Sequence, residues 1–276
     1  MINYYVVDVF TDKLFGGNPA GVCVLKEWPD DALLQRIAFE NNLSETAFLI
    51  KKGDCYDLRW FTPELEIDLC GHATMGSAYV LFEFYERGAA ELKFNTQSGV
   101  LSVTRGLGGE MLMDLPAWHG APAPVYPCLR KAFGDAAILE VRKSNDILVA
   151  FASADDVRGM VPDFAALADI KAEASMPDDK FGVIITAPGD AVPDGAEHRC
   201  DFVSRYFAPN AGVAEDPATG RAHCMLTPYW SEKLGKTKMS ALQLSKRGGA
   251  LSCEDRGERV VIGGRVKLYL SGELHI

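Results

Sequence analysis

The chain is short of several features, and each shortage removes a class of function. No apolar run approaches the roughly 18 residues that span a bilayer; stretches such as Phe181 to Ala187 stop well before that. No basic cluster occurs either. The 276 residues carry 28 Lys+Arg against 38 Asp+Glu, a formal charge of -10, and Lys246-Arg247 is an isolated pair. Nucleic acid and anionic membrane surfaces need clustered cations, so neither is expected as a partner. Met1 to Phe10 lacks a basic n-region and Asp8 interrupts its apolar stretch, so no secretory signal is expected. The seven cysteines are odd in number, scattered and free of any C-x-x-C pair, which excludes a disulfide framework. They read as small core residues in a reducing compartment, and the cytoplasm is the expected location. Cys70 with His72, His198 with Cys200 and His223 with Cys224 all lack zinc spacing, so no metal is expected. G-x-G-x-x-G, G-x-x-x-x-G-K-[ST] and G-x-S-x-G strings are missing too, leaving dinucleotide, P-loop and hydrolase-elbow readings without support.

What is present is ordinary globular composition, 48% apolar and 24% charged, in a length that suits two domains. Tyr4 to Phe10, Ala20 to Leu25, Thr46 to Ile50 and Tyr56 to Phe61 read as strands. Asp30 can cap a helix whose apolar face is Leu33, Leu34, Ile37 and Ala38. A second helix spans about Gly71 to Tyr85, with Ala73, Ser77, Ala78, Leu81 and Phe82 as a small-residue stripe that lets other elements approach closely. Short strands follow: Glu91 to Phe94, Val100 to Thr104 and Met111 to Leu115. Pro116 to Pro127 holds four of the 14 prolines and marks the domain boundary. The same alphabet then recurs, with a small-residue helix from about Ala218 to Leu234. The expected domains are 1–116, joined by the C-terminal strand 266–276, and 117–265.

An internal repeat supports this division. Arg59-Trp60-Phe61 and Pro63 match Arg205-Tyr206-Phe207 and Pro209 at an offset of 146, which also carries Cys70 onto Asp216. Two similar domains related by a pseudo-twofold axis would each send a loop-to-helix turn into a shared cleft. Asp68 to Thr74 and Glu215 to Gly220 are those turns. Helix N-termini bind anions through their free N–H groups, Pro217 suits a first helical position, and Gly71 lets a ligand approach the backbone. Such a cleft would hold a carboxylate and stabilise an adjacent enolate-like charge. Glu45 lies between a helix and an apolar strand, flanked by Leu43 and Ala47 to Ile50; desolvation there would raise its pKa and make it a usable acid/base. The plainer readings are a solvated loop glutamate at Glu45, a structural histidine at His72 and an N-cap at Asp216.

At these residues the sequence resembles the phenazine-biosynthesis PhzF-like family, relatives of diaminopimelate epimerase. The resemblance runs through D-x-F at Asp8 to Phe10, G-N-P at Gly17 to Pro19, N-L-S-E-T at Asn42 to Thr46, C-G-H-A-T at Cys70 to Thr74 and E-D-P-A-T-G at Glu215 to Gly220. It implies an α+β fold of two pseudo-symmetric domains, each a mixed β-barrel around a central helix, with the active site between them. It implies isomerisation of a small cyclic or amino carboxylic acid by proton transfer, without cofactor, in a protein that forms homodimers. By this resemblance Glu45 is the general base/acid, His72 and Asp216 bind substrate and help relay the proton, and the backbone of Gly71 and Gly220 meets substrate oxygens. Asn18 and Cys70 line the site. The epimerase relatives use two facing cysteines; here Asp216 replaces the second, which argues against a two-thiol racemase. Arg221 stands where the family usually has Ser. It could clamp a substrate carboxylate, or pair with Asp216 and lower its pKa.

Overall fold

The computed structural model describes residues 1–178, 180–189 and 200–276, so His198 lies outside the described residues. The chain divides into two compact units, Met1–Asp114 with Val261–Ile276, and Leu115–Val260. It is an α+β protein built on mixed sheet.

The first unit begins with β1 (Ile2–Val9) and β2 (Asn18–Leu25), an antiparallel pair, followed by α1 (Asp31–Asn41). Asp30 caps α1 by accepting the Leu33 N–H at 2.6 Å. Asn42 ends it in the left-handed region, φ 49°, a conformation Asn tolerates, and turns the chain into β3 (Glu45–Lys52). β3 runs parallel to β2 with Glu45, its first residue, opposite Ala20, the third residue of β2, which brings the two strand starts near one another. β4 (Cys55–Phe61) pairs antiparallel with β3 and with the two-residue β5 (Glu66–Ile67).

Next comes α2 (Gly71–Val80), extended by a π-turn over Leu81–Tyr85 in which Glu86 N–H bonds Leu81 C=O. Burial of α2 is nearly complete, and its Thr74 and Ser77 hydroxyls bond back to the preceding turn: Thr74 Oγ1 donates to Cys70 C=O and Ser77 Oγ to Ala73 C=O. Close packing explains the small residues. A Cβ on Gly76 would lie 2.8 Å from Val7 Cγ2 and 3.3 Å from Val9 Cγ2 of β1. The other face of β1 and β2 packs Tyr4, Val6 and Cys23 against Leu34 and Ile37 of α1. β6 (Glu91–Thr96), β7 (Gly99–Arg105) and β8 (Met111–Pro116) continue the sheet as antiparallel neighbours, with β6 parallel to β4.

In the second unit the proline-rich segment is more than a linker. It contributes β9 (Ala121–Ala123), paired antiparallel with the later strand β10 and followed by α3 (Pro127–Phe133). β10 (Glu140–Lys143) and β11 (Ile147–Ala150) form a hairpin, and α4 (Ala154–Gly159), α5 (Phe164–Ala168) and α6 (Ile170–Glu173) follow. Residues from α3 to α6 share one apolar core with β11 and the next two strands, including Leu129, Phe151, Leu167, Ile170 and Phe207. β12 (Val183–Pro188) is parallel to β11, and β13 (Phe202–Ala208) antiparallel to β12. The short β14 (Val213–Asp216) folds back on β13.

Helix α7 (His223–Leu234) starts about five residues later than the sequence pattern suggests, and Pro217 is not at its first turn. Side chains from β15 (Lys238–Gln243) and just beyond take over the backbone there. Gln243 Oε1 accepts Thr219 N–H at 2.8 Å, Gln243 Nε2 donates to Asp216 C=O at 2.7 Å, and Ser245 Oγ donates to Pro217 C=O at 2.6 Å. β16 (Gly249–Asp255) pairs antiparallel with β15, β17 (Arg259–Gly264) follows, and β18 (Val266–Leu274) lies antiparallel to β1 of the first unit. Among the described residues no helix is long and apolar enough to cross a membrane.

Candidate active site

The internal repeat is a repeated piece of support. Arg59 on β4 makes a bidentate pair with Glu66 of β5, Nε–Oε1 and Nη2–Oε2 both 2.7 Å, and its guanidinium lies 5.1 Å from the Phe61 ring. Arg205 on β13 does the same with Glu215 of β14 at 2.6 and 3.0 Å, 5.0 Å from the Phe207 ring. In each unit the clamp fixes the return strand immediately before the turn that carries candidate residues: Cys70, Gly71 and His72 in the first, Asp216, Gly220 and Arg221 in the second.

The first unit gathers Asn18, Glu45, Cys70 and His72 at the starts of β2, β3 and α2. His72 Nε2 faces Glu45 Oε2 at 3.1 Å, with side-chain exposures of 7% and 17%. Both atoms are fully buried, and neither makes an aligned hydrogen bond among the described residues. The pair is therefore close enough for strong electrostatic coupling but leaves both atoms open to an aligned partner. The other ring nitrogen, Nδ1, meets Asn18 Nδ2 at 3.4 Å and Cys70 Sγ at 3.5 Å, and Ser44 Oγ donates to Asn18 Oδ1 at 3.4 Å. Burial pushes the Cys70 thiol up, and the nearby Glu45 carboxylate adds to this. Burial works against a charged His72, yet its pKa stands well above the ordinary value because the Cys70 sulfur and the Glu45 carboxylate outweigh that cost. Gly71 has only Met113 Cε close to a notional Cβ, at 3.2 Å.

Glu45, Cys70 and His72 each offer a donor atom within 4.8 Å of the others, a grouping that chain spacing could not reveal. The chemistry of the set favours acid–base work over metal binding. The thiol is held protonated, and Cys70 and Glu45 flank opposite nitrogens of a ring that offers one nitrogen to a single ion.

In the second unit Asp216 ends β14, and its Oδ2 accepts the Thr219 hydroxyl. The structure does not make it the N-cap of α7, which starts seven residues on; Ala222 holds that position. Gly220 C=O accepts the first N–H of α7, from His223, at 3.0 Å. Arg221 turns to Asp146, with Nε–Oδ2 at 3.5 Å and Nη2–Oδ1 at 3.3 Å, and stacks 5.0 Å from the Trp118 ring. Asp146 also accepts Gly182 N–H at 2.8 Å and the Tyr206 hydroxyl at 3.3 Å. Burial raises its pKa, opposed by Arg221 and these donors. Asp146, Gln243 and Trp118 escaped sequence reasoning because each is 24 to 103 residues from what it supports. His223 is a structural histidine: its Nδ1 donates to Thr219 C=O at 2.8 Å, and burial lowers its pKa to about 4.

Comparisons with known proteins give the family and the fold. The family model described as phenazine biosynthesis-like protein matches residues 7–272. An uncharacterized isomerase of Pseudomonas aeruginosa is 46% identical over 275 residues, covering 100% of this chain and 99% of that one. The crystal structure of a PhzF-family phenazine biosynthesis protein from Enterococcus faecalis superposes with a TM-score of 0.90 at 43% identity, covering all of both chains. A predicted epimerase of Pseudomonas aeruginosa, 22% identical with a TM-score of 0.73, covers all of both chains and shares the fold. The fold is thus that of the PhzF and epimerase–racemase proteins, and the chain belongs to the phenazine biosynthesis-like, or PhzF, family.

Proposed function

We propose that the chain is an isomerase that moves a proton on a small cyclic or amino carboxylic acid, with Glu45 as general base and acid. The observation that carries this reading is the buried 3.1 Å approach of Glu45 Oε2 to His72 Nε2, with no aligned hydrogen bond on either atom among the described residues. A carboxylate in that setting can accept a proton from a carbon activated by a neighbouring unsaturated or carboxylate group. The charged His72 ring beside it stabilises the electron-rich intermediate, and the proton returns at a second carbon from Glu45 or by way of His72. Proton transfer of this kind needs only an acid/base and a field, so the reading calls for no redox or group-transfer cofactor. The Cys70 sulfur accepts from the inner nitrogen of the charged His72 ring and orients it, and Cys70 is not a proton carrier. Substrate binding by Asp216, with backbone contacts from Gly71 and Gly220, enters from the family resemblance, as do a cytoplasmic setting and a homodimer.

The test is proton NMR in D2O with a panel of cyclic and amino carboxylic acids. Deuterium entering one compound at a defined carbon supports the reading and identifies the substrate class. Failure of every acid in the panel to exchange, from a folded protein that binds one of them, would count against it.

A further inference from the structure

We propose that Arg221 is a preset carboxylate receptor, held on one edge by Asp146 and on one face by Trp118, and that it selects acids over their neutral analogues. The inference rests on the isomerase reading only in taking the bound acid to be the substrate.

A guanidinium has five N–H donors. In Arg59 and Arg205 the Nε/Nη2 edge is taken by a glutamate and Nη1 is taken as well, by Asp31 at 2.8 Å in one case and by the Met160 C=O at 2.6 Å in the other. Those two arginines are structural. Arg221 gives Nε and Nη2 to Asp146, and Nη1 has no partner among the described residues. Its side chain is 30% exposed while Asp146 is fully buried; the anchoring carboxylate holds the Nε/Nη2 edge and leaves the Nη1/Nη2 end with Nη1 unengaged among the described residues. That end is the fork that meets a carboxylate with two parallel hydrogen bonds.

The anchor is itself built. Asp146 lies beside the β10–β11 turn and is held by Gly182 N–H and the Tyr206 hydroxyl. Gly182 admits Tyr206, because a Cβ there would come within 2.2 Å of the Tyr206 ring. Trp118 is fixed by a defect in α7. Pro228 has no N–H, so the Cys224 C=O four residues earlier lacks its helical donor, and Trp118 N–H fills it at 2.8 Å. The Trp118 ring then stands 5.0 Å from the Arg221 guanidinium. An arginine fixed from two sides loses little side-chain freedom on binding, which is the condition for useful affinity toward a small anion.

The test uses acids that need not react: acetate, benzoate and succinate, each beside its amide, and inorganic phosphate, measured by calorimetry and thermal shift on the full chain. We expect at least one acid to bind, its amide to bind about tenfold more weakly or not at all, and Arg221→Ser to lose about tenfold of the acid affinity, the size of one charge-assisted hydrogen-bond pair. Because Arg221→Ser leaves Asp146 buried without its cation, the double variant Arg221→Ser/Asp146→Asn provides a folded control with the same expected loss. Trp118→Phe should keep most of the affinity and Trp118→Leu lose several-fold, a difference that a purely structural tryptophan would not produce. Acid binding unchanged in both Arg221 variants, an amide binding as well as its acid, or phosphate binding as tightly as every acid would each overturn the proposal. Binding is read without turnover, so an intact receptor in a protein that exchanges no protons separates failure of the isomerase reading from failure of this one.

Discussion

Two buried histidines of this chain are driven in opposite directions, and the contrast shows how local partners set charge. His72 faces a carboxylate and keeps its proton above the ordinary histidine value; His223 faces a carbonyl and an aromatic ring and gives its proton up until about pH 4. The two therefore have opposite linkage to stability. The contribution of His72 is fully present below the unfolded value near 6.5 and is lost as pH rises through its higher folded value. For His223 the unfolded chain binds a proton that the native one refuses, so stability falls as pH drops from 6.5 toward 4. Between pH 7 and pH 5 this costs about 2 kcal/mol. Urea unfolding at the two pH values should show His223→Gln losing about 2 kcal/mol less than the wild type; equal losses would remove His223 from the account. Nitrogen-15 NMR should find His72 charged at neutral pH and His223 neutral with the proton on Nδ1. Cys70→Ser should keep most of any proton-exchange activity, because the thiol is neutral and supports the ring; complete loss would restore the thiol as a proton carrier.

Among the elements, α2 was the most legible from sequence, and the reason is physical. Its small residues serve close approach, and the structure supplies the neighbour: Val7 and Val9 of β1 against Gly76. Gly76→Ala gains up to about 1 kcal/mol of helix propensity but forces a stiff valine to move, at a cost of about 1–3 kcal/mol. A net loss of stability by urea titration is expected, and a gain would mean that β1 yields easily. The cap at Asp30 was equally readable, and Asp30→Ala should cost about 1 kcal/mol in the same assay. Other features were hidden because their causes are distant. The start of α7 depends on Gln243 and Ser245, which follow the helix, and these override the local signal of Pro217. The ion pair of Arg221 depends on Asp146, 75 residues earlier. Glu45 and His72 are neighbours because parallel pairing of β2 and β3 brings two strand starts to the start of α2. The motif strings suggested their roles, but not the 3.1 Å between them.

At the scale of the whole molecule, the chain resolves into two units that repeat one device: a strand arginine clamping a return-strand glutamate ahead of a turn and a buried helix. The cysteine pattern also acts at this scale. Six of the seven thiols are buried and Cys55 is partly exposed, so a thiol reagent should titrate about one group in the native protein and seven after denaturation. Fast reaction of several thiols in the native state would contradict the packing of both units. The central claim, however, is chemical: Glu45 moves the proton. Its most direct measurement is deuterium incorporation from D2O into a responsive acid, followed by NMR for the wild type and Glu45→Gln, with circular dichroism confirming that both are folded. The account predicts incorporation by the wild type and at least a thousandfold slower exchange, roughly 4 kcal/mol of barrier, in the variant; undiminished exchange in a folded Glu45→Gln protein would contradict it.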